Sequence, residues 1–197
     1  MGLKGQGAKP TGKTGKFIGR MMNSYHTRFY RVFYNGMKLP EGGRILDAGC
    51  GGGGFIQFLA RTHPDLRLYG IDHSPEMIAL AEKVNREAVQ SGRVFLAEGS
   101  VTALPHQEGT MDLVTANETV QFWPGISRSF SEMHRVLKKG GRFIIINRYP
   151  SEGSRWWDSA RLKNENEYRQ ALTEAGFEKA ETDLETKKGW IIACAMK

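Results

Sequence analysis

Two carboxylates set the chemistry open to this chain. Asp47 closes the run Arg44-Ile45-Leu46-Asp47, Asp72 closes Arg67-Leu68-Tyr69-Gly70-Ile71-Asp72, and the two stand 25 residues apart. Just after the first, residues 49 to 54 hold five glycines around Cys50. Glycines let backbone N–H groups close on a ligand that a Cβ would hold away, and a helix starting there adds partial positive charge. An aspartate at the strand tip repels a pyrophosphate but can hold an ammonium, directly or through water. The second acid stands where a nucleotide-binding βαβ unit receives the two ribose hydroxyls. Two readings of the loop compete, and Asp47 decides for the second of them. Gly49, Gly51 and Gly54 fit the dinucleotide fingerprint G-x-G-x-x-G, whereas Gly49, Gly51 and Gly53 behind Asp47 fit acidic-x-G-x-G-x-G.

A short buried strand must carry Asp47 to the loop, and a helix must follow it. Phe55, Ile56, Phe58 and Leu59 supply the helical period, which ends at His63-Pro64. Residues 67–72 read as the second strand, after which Ser74 caps a helix and Pro75 occupies its first position. Residues 94–97 form a third strand leading into Glu98-Gly99-Ser100-Val101. The fourth, residues 112–117, runs into the polar and aromatic stretch Glu118-Thr119-Val120-Gln121-Phe122-Trp123-Pro124. Ligands of a doubly wound sheet meet at such a strand tip. A helix over 126–136, a helix-closing turn Leu137-Lys138-Lys139-Gly140-Gly141-Arg142 and a fifth strand over 143–147 follow. Arg148-Tyr149-Pro150 and a polar loop to Trp156-Trp157, another wall for a substrate, precede a helix near 164–175. Two strand-like runs, 179–186 and 190–196, have no helix between them and should pair as an antiparallel hairpin on the sheet edge.

The chain has 197 residues, 40% of them hydrophobic, enough for one well-cored domain. That domain is expected over 44–197. Residues 1–43 read as a basic leader and an amphipathic helix, because residues 1–44 hold nine of the 28 Lys/Arg and one of the 21 acids. Gly7, Gly12, Lys13 and Thr14 match a phosphate-binding P-loop in letters, but no strand precedes them to anchor one. Ile18, Met21, Met22, Tyr25, Phe29, Val32 and Phe33 share one helical face, with Lys16, Arg20, Arg28 and Arg31 off it. The two cysteines, Cys50 and Cys194, form neither a disulfide framework nor a metal-spaced pair, which points to a cytoplasmic protein without a metal site. Cys50, inside the loop, reads as packing and not as a nucleophile. No run is long and apolar enough to cross a bilayer, and nothing resembles a signal peptide.

From about residue 44 onward the chain resembles the class I S-adenosylmethionine (SAM)-dependent methyltransferases of small-molecule type. The motif hydrophobic-hydrophobic-D-x-G-x-G-x-G is matched by Ile45, Leu46, Asp47, Gly49, Gly51 and Gly53, D-x-S-x-x-M by Asp72, Ser74 and Met77, and L-K-x-G-G by Leu137 to Gly141. The resemblance implies an α/β fold, a doubly wound seven-stranded, mostly parallel Rossmann-like sheet ending in an antiparallel hairpin, and SAM as cofactor. It implies that Asp47, Gly49 and Gly51 serve the methionine end, that Asp72 receives the ribose, and that His73 and Met77 pack against adenine. A merely exposed loop histidine is the alternative for His73. Ser100 would accept from the adenine amino group and the Val101 N–H would donate to the ring; Asn117 and Gln121 would line the methionine end. Phe122 and Trp123 would face the substrate, a buried aromatic plug being the other reading of Trp123. The family usually has Gly-Asp-Ala where this chain has Gly99-Ser100-Val101, and a neutral hydroxyl should hold the amino group less strongly than a carboxylate.

Such a cofactor brings an activated methyl, so the protein must aim a nucleophile in line with the breaking bond and exclude water. Glu118, Tyr25, His26 and Tyr149 are the candidate bases for an acceptor that needs one. A small-molecule acceptor is expected. A nucleic-acid methyltransferase could hold phosphates with the basic front, but Asn117-Glu118-Thr119-Val120 is not the N/D-P-P-Y/F motif that would accompany it. A SAM- or nucleotide-binding protein without catalysis, or a hydride-transfer enzyme, is the third class. The basic helix, residues 16–34, is either a lid carrying Tyr25, His26, Phe29 and Tyr30 over the methyl or a peripheral membrane contact.

Overall fold

The computed structural model describes residues 30–154, 157–185 and 189–197. The basic leader, most of the amphipathic helix with Tyr25, His26 and Phe29, and Trp156 lie outside the described residues. By contacts the chain divides into two compact units, Met1–Ser100 and Val101–Lys197.

In the first unit, residues 30–34 are helical and end at Gly36, which takes φ 84°. Tyr30 and Tyr34 are buried against Phe55, at 5.0 and 4.4 Å between ring centroids, and Tyr30 also meets Phe58. Tyr30 is thus packed on the helix that carries Phe55 and Phe58. Of the two described residues assigned above to the apolar face, Val32 is 50% exposed and Phe33 half-buried, whereas Tyr30 and Tyr34, not assigned to it, are the buried ones. The unit continues through β1 (Arg44–Ala48), α1 (Gly54–Thr62), β2 (Arg67–Asp72), α2 (Pro75–Val84), α3 (Arg86–Gln90) and β3 (Val94–Glu98). β1 pairs parallel with β2, and β2 parallel with β3. Pro75 opens α2 behind Ser74, whose side chain accepts the Met77 N–H. Gly70 on β2 is required by packing alone, because a Cβ there would lie 2.5 Å from Ile56 and 2.9 Å from the Cys50 sulfur.

The second unit holds β4 (Met111–Asn117), a 3₁₀ turn (Val120–Phe122), α4 (Ile126–Val136), β5 (Leu137–Arg148), α5 (Glu165–Glu174), β6 (Glu178–Glu185) and β7 (Trp190–Met196). β4 and β5 are parallel; β7 is antiparallel to both β5 and β6, which is the expected terminal hairpin. The Leu137 to Gly141 segment is more than a helix-closing turn. β5 begins at Leu137, directly after α4, and its pairing with β4 jumps from Leu137 to Arg142, leaving Lys138 to Gly141 as a bulge. Gly140 takes φ 77° and donates its N–H to the Lys197 carbonyl, so the bulge also clasps the end of β7. Along the sheet the strands run β3-β2-β1-β4-β5-β7-β6. The core of the second unit is aromatic. Trp123 lies edge-on to Phe130 and stacked on Phe143, and Phe143 stacks on Phe177. A buried ring truncated to alanine here should cost about 3–5 kcal/mol.

Candidate functional site

β1 and β2 end side by side, and their last residues bring the first group together. Asp47 is 4% and Asp72 9% exposed. Asp72 accepts the Gly51 N–H at 2.9 Å on Oδ2 and the Ser74 N–H at 2.9 Å on Oδ1, with His73 Nδ1 3.5 Å away. The glycine loop is tied to the same strand, because the Gly49 and Cys50 N–H groups both donate to the Ile71 carbonyl. Gly49, Gly51 and Gly53 take φ of 80°, 50° and 74°, whereas Gly52 and Gly54 do not enter the left-handed region. The alternating pattern behind Asp47 is therefore the one the backbone uses, and Gly54 is simply the first residue of α1. A Cβ at Gly51 would meet nothing within 4 Å, whereas one at Gly53 would strike Asn85 Nδ2 at 2.7 Å. One glycine faces open space and the other faces protein.

His73 is exposed, Met77 is buried, and the Gly99 N–H donates to the Asp72 carbonyl, which brings the Gly99-Ser100 turn beside the acid. The Cys50 thiol is pushed well above its ordinary pKa by burial first, then by the charges of Asp47 and Asp72. That suits the packing role assigned to it. Asn85 was missed in the sequence. Its Nδ2 donates to the carbonyls of Gly53 and Ala81, joining the end of α2 to the cap of α1. An asparagine between two helices gives no sequence signal beyond a cap.

In the second unit, Asn117 ends β4 and Glu118 follows with φ 54°, a costly conformation for a non-glycine residue. The Glu118 N–H donates to the Ile146 carbonyl, and its carboxylate accepts from Arg148 Nε at 3.2 Å. The Arg148 guanidinium lies 4.5 Å above the Trp190 ring. Glu118, a candidate base, is therefore held by an arginine that sequence reasoning left unassigned. Gln121 Nε2 donates to the Glu118 carbonyl at 2.7 Å. Val101 is buried and begins this unit, and the Tyr149 N–H is bonded to the Gly189 carbonyl. Trp123 is 3% exposed and donates Nε1–H to the Thr119 hydroxyl. It is the aromatic plug and not a substrate wall; Phe122 beside it is 37% exposed. Among the described residues no cluster of His, Cys, Asp and Glu could hold a metal, and no helix is long and apolar enough to cross a membrane.

A family described as "Methyltransferase domain" matches residues 46–145, half of the chain. A ubiquinone/menaquinone biosynthesis C-methyltransferase of Geobacter sulfurreducens is 32% identical over 132 residues, covering 66% of this chain and 52% of that protein. The chain spans about half the length of the curated relatives it matches. Among solved structures, the methyltransferase bound to the Trm112 methyltransferase activator of Haloferax volcanii superposes with a TM-score of 0.78 at 22% identity, covering 90% of this chain and 92% of that one. The geranyl diphosphate C-methyltransferase of Streptomyces coelicolor, solved with Mg2+, geranyl diphosphate and S-adenosylhomocysteine, gives 0.71 at 18% identity, with 87% and 79% covered. Those two likenesses bear on fold alone. With a family match over half its length and the left-handed glycines behind Asp47, the chain belongs to the methyltransferase domain family, the SAM-dependent methyltransferases of Rossmann-like fold.

Proposed function

We propose that this protein binds SAM at the tips of β1 and β2 and transfers its methyl group to a small-molecule acceptor. One observation carries the reading: three left-handed glycines at alternate positions stand between two buried carboxylates, and a Cβ position at the middle one, Gly51, opens onto free space. In this reading Asp47 serves the ammonium of the methionine moiety and Asp72 the ribose hydroxyls. His73, Met77, Ser100 and the Val101 N–H serve adenine, and Asn117 and Gln121 the methionine end. When bound, SAM supplies a sulfonium-activated methyl. The chain's own residues orient the acceptor and keep water away, with Glu118, Tyr149, Tyr25 and His26 as the side chains available to take a proton. The likeness to a ubiquinone/menaquinone biosynthesis C-methyltransferase of Geobacter supports a small-molecule acceptor.

Calorimetry with SAM and with NAD tests the cofactor. SAM is expected to bind and NAD to fail, and NAD binding of equal strength would return the loop to the dinucleotide reading. A screen of cell extracts with methyl-labelled SAM, the small-molecule and nucleic-acid fractions then read separately by mass spectrometry, tests the acceptor class. Label appearing only in nucleic acid would refute it.

A further inference from the structure

The sheet ends in two edge strands of opposite character, β3 and β6. β6 reads Glu-Lys-Ala-Glu-Thr-Asp-Leu-Glu, charged at every second position or more, whereas β3, Val94-Phe95-Leu96-Ala97-Glu98, is apolar up to its last residue. Folded proteins blunt edge strands with charge, proline or a bulge, because outward N–H and C=O groups invite another strand. β3 has none of these: its register with β2 runs without a shift. The Leu68 N–H donates to the Arg93 carbonyl and the Gly99 N–H to the Asp72 carbonyl, so the odd-numbered residues of β3 bond to β2. Val94 and Leu96 therefore turn their backbone groups to the free edge. The side chains divide by face. Leu96 lies on the face of Gly70, where Ile56 of α1 packs. Phe95 lies on the other, is 44% exposed, and stacks on Tyr69 with ring centroids 5.1 Å apart.

We propose that β3 pairs antiparallel with β3 of a second copy of this chain, about a two-fold axis that crosses the sheet at Phe95 and joins two sheets edge to edge. The strand is complementary to itself in that direction. Val94 of each copy meets Leu96 of the other, and each such pair exchanges both of its outward backbone bonds. Phe95 then stands opposite Phe95 of the second copy, in the kind of pair whose side chains approach closest. Tyr69 flanks each phenyl ring in register, so one continuous row of aromatic rings crosses the joint. The other way to join identical edges, a two-fold axis along the strands, would put the phenyl rings on opposite faces. Charge selects the same direction. Arg93, held at the carbonyls of Ala60 and Pro64, begins the strand beside exposed Arg67, and exposed Glu98 ends it. Antiparallel pairing sets the basic end of each copy against the acidic end of the other, whereas parallel pairing would set like against like.

Sedimentation velocity of the full chain, from about 1 to about 200 µM, reads the association. A monomer–dimer equilibrium is expected, of the weak class that a small interface gives. Phe95→Glu places like charges opposite each other at the axis and should weaken the dimer at least about hundredfold. Val32→Ser removes another exposed apolar side chain of the same unit and should leave the dimer unchanged. Phe95→Thr, which keeps a strand former, gives the same test should the glutamate variant not fold. The register is read by cysteine pairing: under mild oxidation Phe95→Cys should yield a disulfide-linked dimer, which neither Leu96→Cys nor the parent chain should give. A dimer that survives Phe95→Glu, or cross-links through position 96 instead of 95, overturns the proposal. So does a chain that stays monomeric throughout. Hydrogen exchange at the Leu96 N–H then names the occupant: protection in the monomer gives the edge to residues of the same chain, and free exchange leaves it to a different protein.

Discussion

Asp72→Asn is the most informative single substitution, because one carboxylate serves both fold and proposed ligand. Each oxygen already accepts a backbone N–H at 2.9 Å, one from Gly51 and one from Ser74. The amide retains one acceptor and turns an NH2 toward the other donor. One buried N–H is then unmatched, a loss of about 1–3 kcal/mol of stability. For a chain of this length that lowers Tm by roughly 2–4 °C per kcal/mol. On the ligand side, a charge-assisted bond of about 1.5–3 kcal/mol becomes a neutral one of about 0.5–1.5. Over two ribose hydroxyls the expected weakening of SAM is about tenfold to a hundredfold. Calorimetry on protein shown to be folded by thermal melting reads both quantities. Asp65→Asn is the control, since Asp65 accepts the Gly42 N–H at 2.7 Å in the same unit but on an exposed loop. Its SAM affinity should not change. An Asp72→Asn protein that is folded and binds SAM as tightly as the parent would show that the β2 carboxylate is purely structural.

The glycine loop predicts a dissociation of effects: Gly51→Ala, left-handed but facing open space, should cost about 1–2 kcal/mol of stability and yet weaken SAM strongly, whereas Gly53→Ala also drives a Cβ into Asn85 and should act mainly on stability. Melting curves and calorimetry on the pair decide, and the opposite pattern would mean that the open side of Gly51 is not the ligand side. Cys50 should resist alkylation at pH 8 in the folded protein, since burial and two nearby carboxylates disfavour its thiolate; mass spectrometry finding it labelled at the rate of a free thiol contradicts that picture. The Tyr168 hydroxyl is pushed up to about 12 by burial, against a weaker opposing effect of Asn147. The unfolded chain releases this proton near pH 10 while the folded one holds it to about 12, so stability falls across that window by up to roughly 1.4 kcal/mol per pH unit. Urea melts should show the slope in the parent and not in Tyr168→Phe. Removing residues 1–29, while keeping Tyr30 and Tyr34 on Phe55, separates the two roles expected for the basic segment: loss of turnover with SAM binding intact supports a lid, and loss of liposome binding alone supports a membrane contact.

The strand ends carrying Asp47 and Asp72, the cap Ser74, the helix beginning at the glycines and the terminal hairpin were all legible in the chain, because each is written in local terms. A period of apolar residues, a proline at the first helical position and a glycine run report on their own backbone. The charge of Asp47 already chose between the two glycine patterns, but the backbone that realises the choice was not local. Gly53 and Gly54 are identical in the sequence, and only the pairing of β1 with β2 and the approach of Asn85 and Ala81 show which of them turns left-handed and which opens α1. Trp123 carried two readings until Phe130 and Phe143 closed around it from α4 and β5. The ion pair of Glu118 with Arg148 and the bond of Asn147 to Tyr168 join residues 30 and 21 positions apart. No period or spacing encodes such contacts; they exist because parallel strands deliver their ends to one edge, where polar side chains distant in sequence must satisfy one another away from water.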